Sequence, residues 1–174
     1  MTGLAIACMV GAIVIEVMIV CCGLGRSVPL NYILLLAFTA CESFMVAFIC
    51  SFYTPESVLT AGGMTAGVTV ALTAYACTTK TDFTMMGGLI WIICMAMLML
   101  TFFSFFMTYV AWWHPVLSCI LIIFYGIFLI YDTQLIVGGK KYALGVDDYI
   151  IGALVIYVDI IALFLELLKL FGDR

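Results

Sequence analysis

Six long apolar runs dominate the sequence and restrict this chain to a membrane. Each run has about the 20 residues that an α-helix needs to cross a hydrocarbon core roughly 30 Å thick. The 174 residues are 67% hydrophobic and 9% charged, so a water-soluble domain of this size could not bury its apolar side chains in one core. The expected spans are residues 3–22, 30–52, 57–77, 83–107, 115–137 and 148–170.

The apolar runs also predict an all-α fold. Peptide groups without hydrogen-bond partners are costly in lipid, so a spanning segment forms a helix or joins a closed β-barrel. Barrel strands alternate apolar and polar residues, whereas these runs do not. Because the connections between the runs are short, we predict one transmembrane domain over residues 1–174, a polytopic helical bundle with six spans.

The basic residues predict how the bundle lies in the membrane. With six spans, four of the six basic residues fall in odd-numbered loops on one side. The other two, Lys169 and Arg174, lie near the C-terminus on the opposite side. Because lysine and arginine concentrate in cytosolic loops, we predict that the odd-numbered loops are cytosolic.

Cysteines and net charge narrow the possible functions. The eight cysteines lie in or beside apolar runs, and we interpret them as small buried hydrophobes, with neither a disulfide framework nor a zinc site. A net charge of −4 does not favour a nucleic-acid partner. No nucleotide-binding motif is present, which argues against an active pump, and we expect no cofactor.

Acidic residues inside the apolar runs are the most informative chemical feature. Glu16, Glu42, Asp132 and Asp159 lie within expected spans, and Glu166 lies nearer a span end. An acid at the centre of a span costs about 2.5–3.5 kcal/mol on insertion scales. Because the span interiors contain no basic residue, these acids must share protons, bind a cation or hydrogen-bond as neutral groups.

Asp132 and Asp159 are predicted to form a pair. Asp132 lies toward the cytosolic end of the fifth span, and Asp159 lies within the sixth, which returns through the bilayer. Two carboxylates in contact cannot both ionise cheaply, so the pair would share a proton and titrate as one unit. We predict a pH-sensitive latch, because loss of the proton separates the helices or recruits a cation. The alternative is a purely structural role for neutral, hydrogen-bonded acids.

Two helix faces carry further predictions. Asp159 and Glu166 are seven residues apart and share a face of the last helix, which we expect to point into the bundle and to make that helix central. The same stripe includes Tyr149, Gly152, Ile156 and Leu163. In the third span, Gly63 and Gly67 have GxxxG spacing, which favours close packing of helix backbones.

Three segments together resemble one known family. "YDTQLIVGG" (residues 131–139) followed by "VDDYIIGALVIYVDIIALFLELLKLFG" (residues 146–172) is similar to the C-terminal signature of the transmembrane Bax inhibitor motif family, especially its lifeguard branch. Residues 29–53 resemble the family segment that carries a membrane-embedded glutamate, here Glu42, and "TTKTDFT" (residues 78–84) resembles the next polar loop. The resemblance covers nearly the whole chain in the same order.

The resemblance implies a seven-helix fold with a central C-terminal helix. The six spans here correspond to the second through seventh, so the family's first span is expected to be absent. Family members are implicated in calcium leak from intracellular stores and in restraining cell death. By motif, Asp132 and Asp159 correspond to the latch and Glu42 to an acid associated with ion permeation. Some relatives add a basic residue in an early span, which this chain lacks. We expect an endoplasmic reticulum or Golgi membrane, or alternatively the mitochondrial inner membrane.

These observations favour a pH-sensitive calcium leak channel, not an enzyme. Glu42, Asp132, Asp159 and Glu166 would line the pathway, and calcium would bind transiently at Asp132 and Asp159, since carboxylate oxygens suit that ion. The expected partners are the lipid bilayer, calcium or protons, and other membrane proteins.

Two other functions stay open. The chain could be a structural accessory subunit of a larger membrane complex. An intramembrane aspartyl protease would also need two aspartates on neighbouring helices, but Asp159 lies in "YVDII" and not in the GxGD motif of such enzymes.

Overall fold

The computed structural model describes residues 2–107, 109–110 and 112–173. Across these residues the fold is all-α, with six helices long and apolar enough to cross a membrane, so the predicted fold class is confirmed. The helices are α1 Thr2–Val20, α2 Leu30–Cys50, α3 Pro55–Thr78, α4 Gly87–Ser104, α5 Trp113–Val137 and α6 Tyr149–Phe171. Short 3-10 helices, Leu24–Arg26, Phe83–Met86 and Val146–Asp148, precede α2, α4 and α6.

Local sequence explains where two of the helices begin and end. α3 begins at Pro55, two residues before the expected start, because proline suits the first turn, where its missing N–H would lack a helical partner. Thr54 caps that turn by accepting a hydrogen bond from the Ser57 N–H at 3.4 Å. α5 ends before Gly138 and Gly139, which both have φ near +73°, a conformation that favours glycine.

The last helix is central, as predicted. α6 packs against α1, α2, α3 and α5, whereas α4 packs chiefly against α5. Leu154, Leu163 and Leu168 on α6 are completely buried, so the helix is enclosed along much of its length. Its predicted inward stripe is buried at Gly152, Asp159, Leu163 and Glu166 and half-buried at Ile156.

Tyr149 is the exception to the predicted stripe. Its side chain is exposed, because it is the first residue of α6 and lies at the end of the bundle. Its hydroxyl donates to the Tyr32 hydroxyl at 3.0 Å and accepts from the Asn31 amide at 3.3 Å. Tyr149 therefore joins the start of α6 to the start of α2 and does not line the interior.

Close helix packing occurs at glycines other than the GxxxG pair. A Cβ atom on Gly63 or Gly67 would meet no atom within 4 Å in the described part of the chain, so the expectation that this pair brings helices together is wrong within these residues. A Cβ on Gly126 would lie 3.2 Å from Leu72, and one on Gly152 would lie 3.2 Å from Ile136. These two glycines therefore bring α3 to α5 and α5 to α6.

We expected the cysteines to be buried, and this prediction is wrong. Five are exposed and three are partly exposed, and all eight are free thiols. A residue on the outside of a membrane bundle meets lipid, so an apolar side chain gains little by moving inside. The exposed cysteines are Cys21, Cys22, Cys77, Cys94 and Cys119, and the partly exposed ones are Cys8, Cys41 and Cys50.

The loops group at two ends of the bundle. At one end, which we call the loop end, Arg26 before α2 pairs with Asp148 before α6, and the Lys140 ammonium donates to the Thr79 carbonyl at 3.1 Å. The odd-numbered loops therefore meet on one side. At the opposite, C-terminal end, the Thr54 N–H donates to the Asp173 carbonyl at 3.1 Å. Which end faces the cytosol stays a prediction.

Candidate functional site

Asp132 and Asp159 lie together in the interior of the bundle. Asp132 comes from the last third of α5 and Asp159 from the middle of α6, and their side chains are within hydrogen-bonding distance of each other. Asp159 is only 6% exposed, and its Oδ2 meets no conventional donor among the described residues. Two ionised carboxylates have no hydrogen to donate, so a shared proton or a bound cation would stabilise this contact.

Tyr125 is the next polar residue from this pair toward the C-terminal end. We call the set Asp132, Asp159, Tyr125 and Glu166 the polar line. It lies on α5, partly buried beside Leu163 and Leu167. Its side chain interacts electrostatically with both Glu166 and Asp159. Those two acids are seven residues apart on α6, about 10 Å along the helix axis, and Tyr125 of α5 interacts with both of them.

Glu166 forms the next polar group along α6. It is 6% exposed, and its carboxylate accepts hydrogen bonds from two sides. The Ser118 hydroxyl of α5 donates to Oε2 at 2.9 Å, and the Lys169 ammonium donates to Oε1 at 2.5 Å. A buried carboxylate in the last third of α6 is thus compensated by a neighbour from the membrane interface.

An open cleft of about 750 Å³ reaches Glu166 from the C-terminal end. Its lining residues come from the end of α4, the first half of α5 and the last third of α6. Its walls carry hydroxyl, imidazole and aromatic groups as well as the Glu166 and Lys169 pair. The lining includes Thr101, Ser104, Phe105, His114, Pro115, Leu117, Ser118, Leu121 and Tyr125.

Glu42 belongs to a second acidic group. It is half-buried on α2 and interacts electrostatically with Glu16 of α1 and with Tyr157 of α6. Tyr157 and Asp159 are two residues apart, so they point to nearly opposite sides of the helix. The structure therefore brings Asp132 and Asp159 together and places Glu166 in line with them, but it puts Glu42 across α6.

Two groups of site residues were not anticipated from the sequence. Gln134 is 2% exposed and ties the loop before α4 to α5, since its amide nitrogen donates to the carbonyls of Ala76 and Thr81 and its oxygen accepts from the Phe83 N–H. The sequence does contain a signal for this site, since a glutamine lies within an apolar run, two residues after Asp132.

Arg26 and Asp148 form the other missed group. Their side chains make two contacts, at 2.6 and 3.0 Å, although 122 residues separate them. The sequence did indicate that both would lie on the same side of the membrane. It did not indicate which acidic residue would pair with Arg26.

The described residues contain no group of three or more histidine, cysteine, aspartate or glutamate side chains that could hold a metal ion. The acids instead lie in pairs, Asp132 with Asp159 and Glu16 with Glu42. Pairs of carboxylates supply few fixed ligands, which suits transient rather than permanent binding of a hard cation.

Comparison with known proteins relates this architecture to a family. Residues 1–174 match the family described as Inhibitor of apoptosis-promoting Bax1. Protein lifeguard 3 of Homo sapiens is 38% identical over 166 residues, which cover 93% of this chain and 53% of the relative. Lifeguard 3 of Mus musculus is 37% identical over 158 residues, covering 88% and 51%.

A second type of relative gives the same result. Protein lifeguard 4 of Mus musculus is 41% identical over 145 residues, which cover 81% of this chain and 57% of the relative. The chain thus spans about half the length of these relatives. Because the family match extends over the whole chain, this integral membrane protein belongs to the Bax inhibitor family, together with the lifeguard proteins.

Proposed function

We propose that this protein is a pH-sensitive calcium leak pathway whose activity modulates cell death. The contact between Asp132 and Asp159 in the middle of the bundle is the observation that supports this most strongly. One proton shared by the pair holds α5 against α6. When the proton leaves, two like charges remain, and they either separate the helices or attract a cation.

The charged surroundings of Asp159 favour this proposal. Asp132 from α5 is the titratable group that it contacts, Tyr125 interacts with it electrostatically, and Glu166 lies farther along the same helix. The groups from α1 and α2, Glu16 and Glu42, gather on the other side of α6. A local excess of carboxylates without an interior base favours cations over anions.

The polar line is also continuous enough to suggest a route. It runs from the aspartate pair past Tyr125 to Glu166 and then into the cleft at the C-terminal end. Carboxylate and hydroxyl oxygens along the line are the ligand type that calcium prefers. Glu42, although it lies across α6, stays part of the proposed pathway as an acid near the opposite face.

Calcium flux through the purified full chain in liposomes tests the proposal. With a calcium dye inside the vesicles, we expect entry that increases as pH rises through the range in which the pair loses its shared proton. Asp132→Asn and Asp159→Asn should each flatten this pH response, because an amide cannot lose the proton. Flux that is equal in the wild type and in both variants at every pH would refute the latch.

Asp147→Asn is the matched control. It makes the same chemical change in an exposed loop residue outside the bundle interior, so it should leave the pH response unchanged. Glu42→Gln measures separately whether the second acidic group contributes to flux.

An accessory role in a larger membrane complex is the second candidate. The outward-facing Gly63 and Gly67, with open space beside them, favour it, because small residues at this spacing let another helix approach closely. A stable stoichiometric complex, with no flux from the isolated chain, would support this role in place of a leak.

A further inference from the structure

The Lys169 side chain lies where a cation entering from the C-terminal end would first meet a buried carboxylate. Glu166 is 6% exposed and lines the 750 Å³ cleft. The Lys169 ammonium contacts its Oε1 at 2.5 Å, while the Lys169 side chain as a whole is 45% exposed. The ammonium therefore reaches from a half-exposed side chain to a buried carboxylate.

We propose that Glu166 and the cleft around it form a cation site whose resident occupant is the ammonium group of Lys169, so that Lys169 acts as a tethered plug. A divalent cation enters the site only after it displaces this ammonium. The inference rests on the proposed leak function and deepens it by naming a second control point, separate from the aspartate pair.

The geometry makes displacement feasible. The contact between Lys169 and Glu166 joins residues three apart on one helix, and a lysine has several rotatable bonds through which its head can turn toward solvent. Glu166 does not depend on Lys169 alone, because the Ser118 hydroxyl holds its other oxygen at 2.9 Å. The carboxylate can thus stay in place while the ammonium leaves.

The walls of the cleft supply further oxygen atoms for an arriving ion. Thr101 and Ser104 of α4 face the same space as Ser118 of α5. One carboxylate with a few neutral hydroxyls and water makes a weak site for a hard cation. Weak binding is appropriate on a route through which ions pass, because an ion that binds tightly does not leave.

The plug controls cation entry because of its position along the polar line. Tyr125 lines the cleft and interacts with both Glu166 and Asp159, so an ion that leaves the Glu166 site meets Tyr125 before the aspartate pair. A positive charge held at Glu166 repels any cation approaching from the cleft. Lys169 therefore limits entry even when the aspartate pair is open.

Terbium binding to the purified full chain in nanodiscs tests the site without measuring flux. Tb³⁺ stands in for Ca²⁺, and its luminescence is sensitised by Tyr125, which lines the cleft. We expect Lys169→Gln to tighten terbium binding by about tenfold, because a fixed competing charge is removed. Lys169→Arg keeps the charge and should bind terbium as the wild type does.

The double variant Glu166→Gln with Lys169→Gln identifies the ligand. It should lose the gain seen in Lys169→Gln, and added Ca²⁺ should compete with terbium in the single variant. Equal terbium affinity in the wild type and Lys169→Gln would overturn the proposal. A gain that persists without the Glu166 carboxylate would overturn it as well.

Liposome flux then separates this inference from the proposed function. Calcium entry that depends on Asp132 but is the same in the wild type and Lys169→Gln would refute the plug and leave the leak intact. Tighter terbium binding in Lys169→Gln, with no calcium entry in any variant, would support the Glu166 site and its tethered ammonium while refuting the leak.

Discussion

The Arg26 guanidinium holds the Asp148 carboxylate by two contacts, Nε to Oδ1 at 2.6 Å and Nη2 to Oδ2 at 3.0 Å. The first residue belongs to the loop before α2 and the second immediately precedes α6. Asp148 Oδ2 also accepts from the Gly145 N–H at 3.1 Å. The pair therefore fixes the start of the central helix to the first loop.

We predict a rank order of stability at this junction. Asp148→Asn should destabilise the protein most, since it weakens the contacts to both Arg26 and Gly145. Arg26→Gln should have a smaller effect, and Arg26→Lys the smallest, because lysine keeps the charge but loses the two-pronged geometry. Thermal denaturation in one detergent measures the order. Equal melting temperatures for all three variants and the wild type would contradict it.

Much of the fold follows from the sequence because lipid imposes one strong rule. Each apolar run must satisfy its own peptide groups, so the length of a run alone predicts a helix. α3 shows the limit of this reasoning: its run was expected to begin at residue 57, but Pro55 and the Thr54 cap extend it. Hydropathy does not include the chemistry of a helix's first turn.

The partners of side chains were harder to predict than the helices. From the sequence we expected Gly63 and Gly67 to bring helices together, yet helices approach closely at Gly126 and Gly152. In a membrane both faces of a helix can be apolar, so the hydrophobic pattern does not show which face meets protein. The inward orientation of the acids of α6 was predictable, because an ionisable side chain that faces lipid is costly whereas a leucine is not.

Gln134 supports a prediction about buried hydrogen bonds. Its amide makes contacts of 3.1 Å to Ala76, 3.0 Å to Thr81 and 2.8 Å to the Phe83 N–H. Gln134→Leu removes all three and leaves the Ala76 carbonyl and the Phe83 N–H without their Gln134 partner, whereas the Thr81 carbonyl keeps its bond from Lys140. The free energy of unfolding should therefore fall by about 1–3 kcal/mol. Unfolding in mixed micelles measures the change.

Gln134→Glu is the informative comparison. A carboxylate keeps an acceptor for the Phe83 N–H but has no donor for the two carbonyls, so the loop between α3 and α4 should loosen while its contact with Phe83 persists. Hydrogen exchange that is faster at residue 83 in Gln134→Glu than in Gln134→Leu would be inconsistent with this assignment.

Asp82 gives a prediction about acid. The Thr84 hydroxyl and then the Lys141 N–H donate to its carboxylate, and these bonds hold the pKa of Asp82 below its ordinary range. A carboxylate with a lowered pKa stabilises the folded state above the ordinary aspartate pKa, about 3.9, and loses that contribution as pH falls through the lowered value.

The loop between α5 and α6 should therefore loosen only in acid. Hydrogen exchange at Lys141, corrected for intrinsic rates, should accelerate below about pH 4 in the wild type. In Asp82→Asn it should be faster at neutral pH and respond less to acid. Identical pH profiles for the two proteins would show that the Asp82 contacts do not hold this loop.

Glycine substitutions should separate inner from outer helix faces. Gly126→Val adds bulk where even a Cβ would lie 3.2 Å from Leu72, so it should force α3 and α5 apart and destabilise the protein by about 1–3 kcal/mol. At Gly63 an added Cβ would meet no atom within 4 Å, so Gly63→Val should cost less. Thermal denaturation of the isolated protein checks the difference, and equal losses would contradict the open position of Gly63.

Tyr125 should matter for conduction more than for folding. Its side chain interacts electrostatically with both Glu166 and Asp159, so Tyr125→Phe keeps the ring that packs near Leu163 and removes only the hydroxyl. We expect calcium entry into liposomes to fall several-fold, because an ion crossing about 10 Å between the carboxylates loses its intermediate oxygen ligand.

Tyr109→Phe is the control for the same chemical change, since Tyr109 is 98% exposed and lies outside the polar line. It should conduct as the wild type does. If both variants conduct equally well while Asp132→Asn reduces entry, ions reach the aspartate pair by a route that does not pass Tyr125. In that case the Glu42 side of α6 becomes the route to test, because its acids are the other half-buried carboxylates in the described bundle.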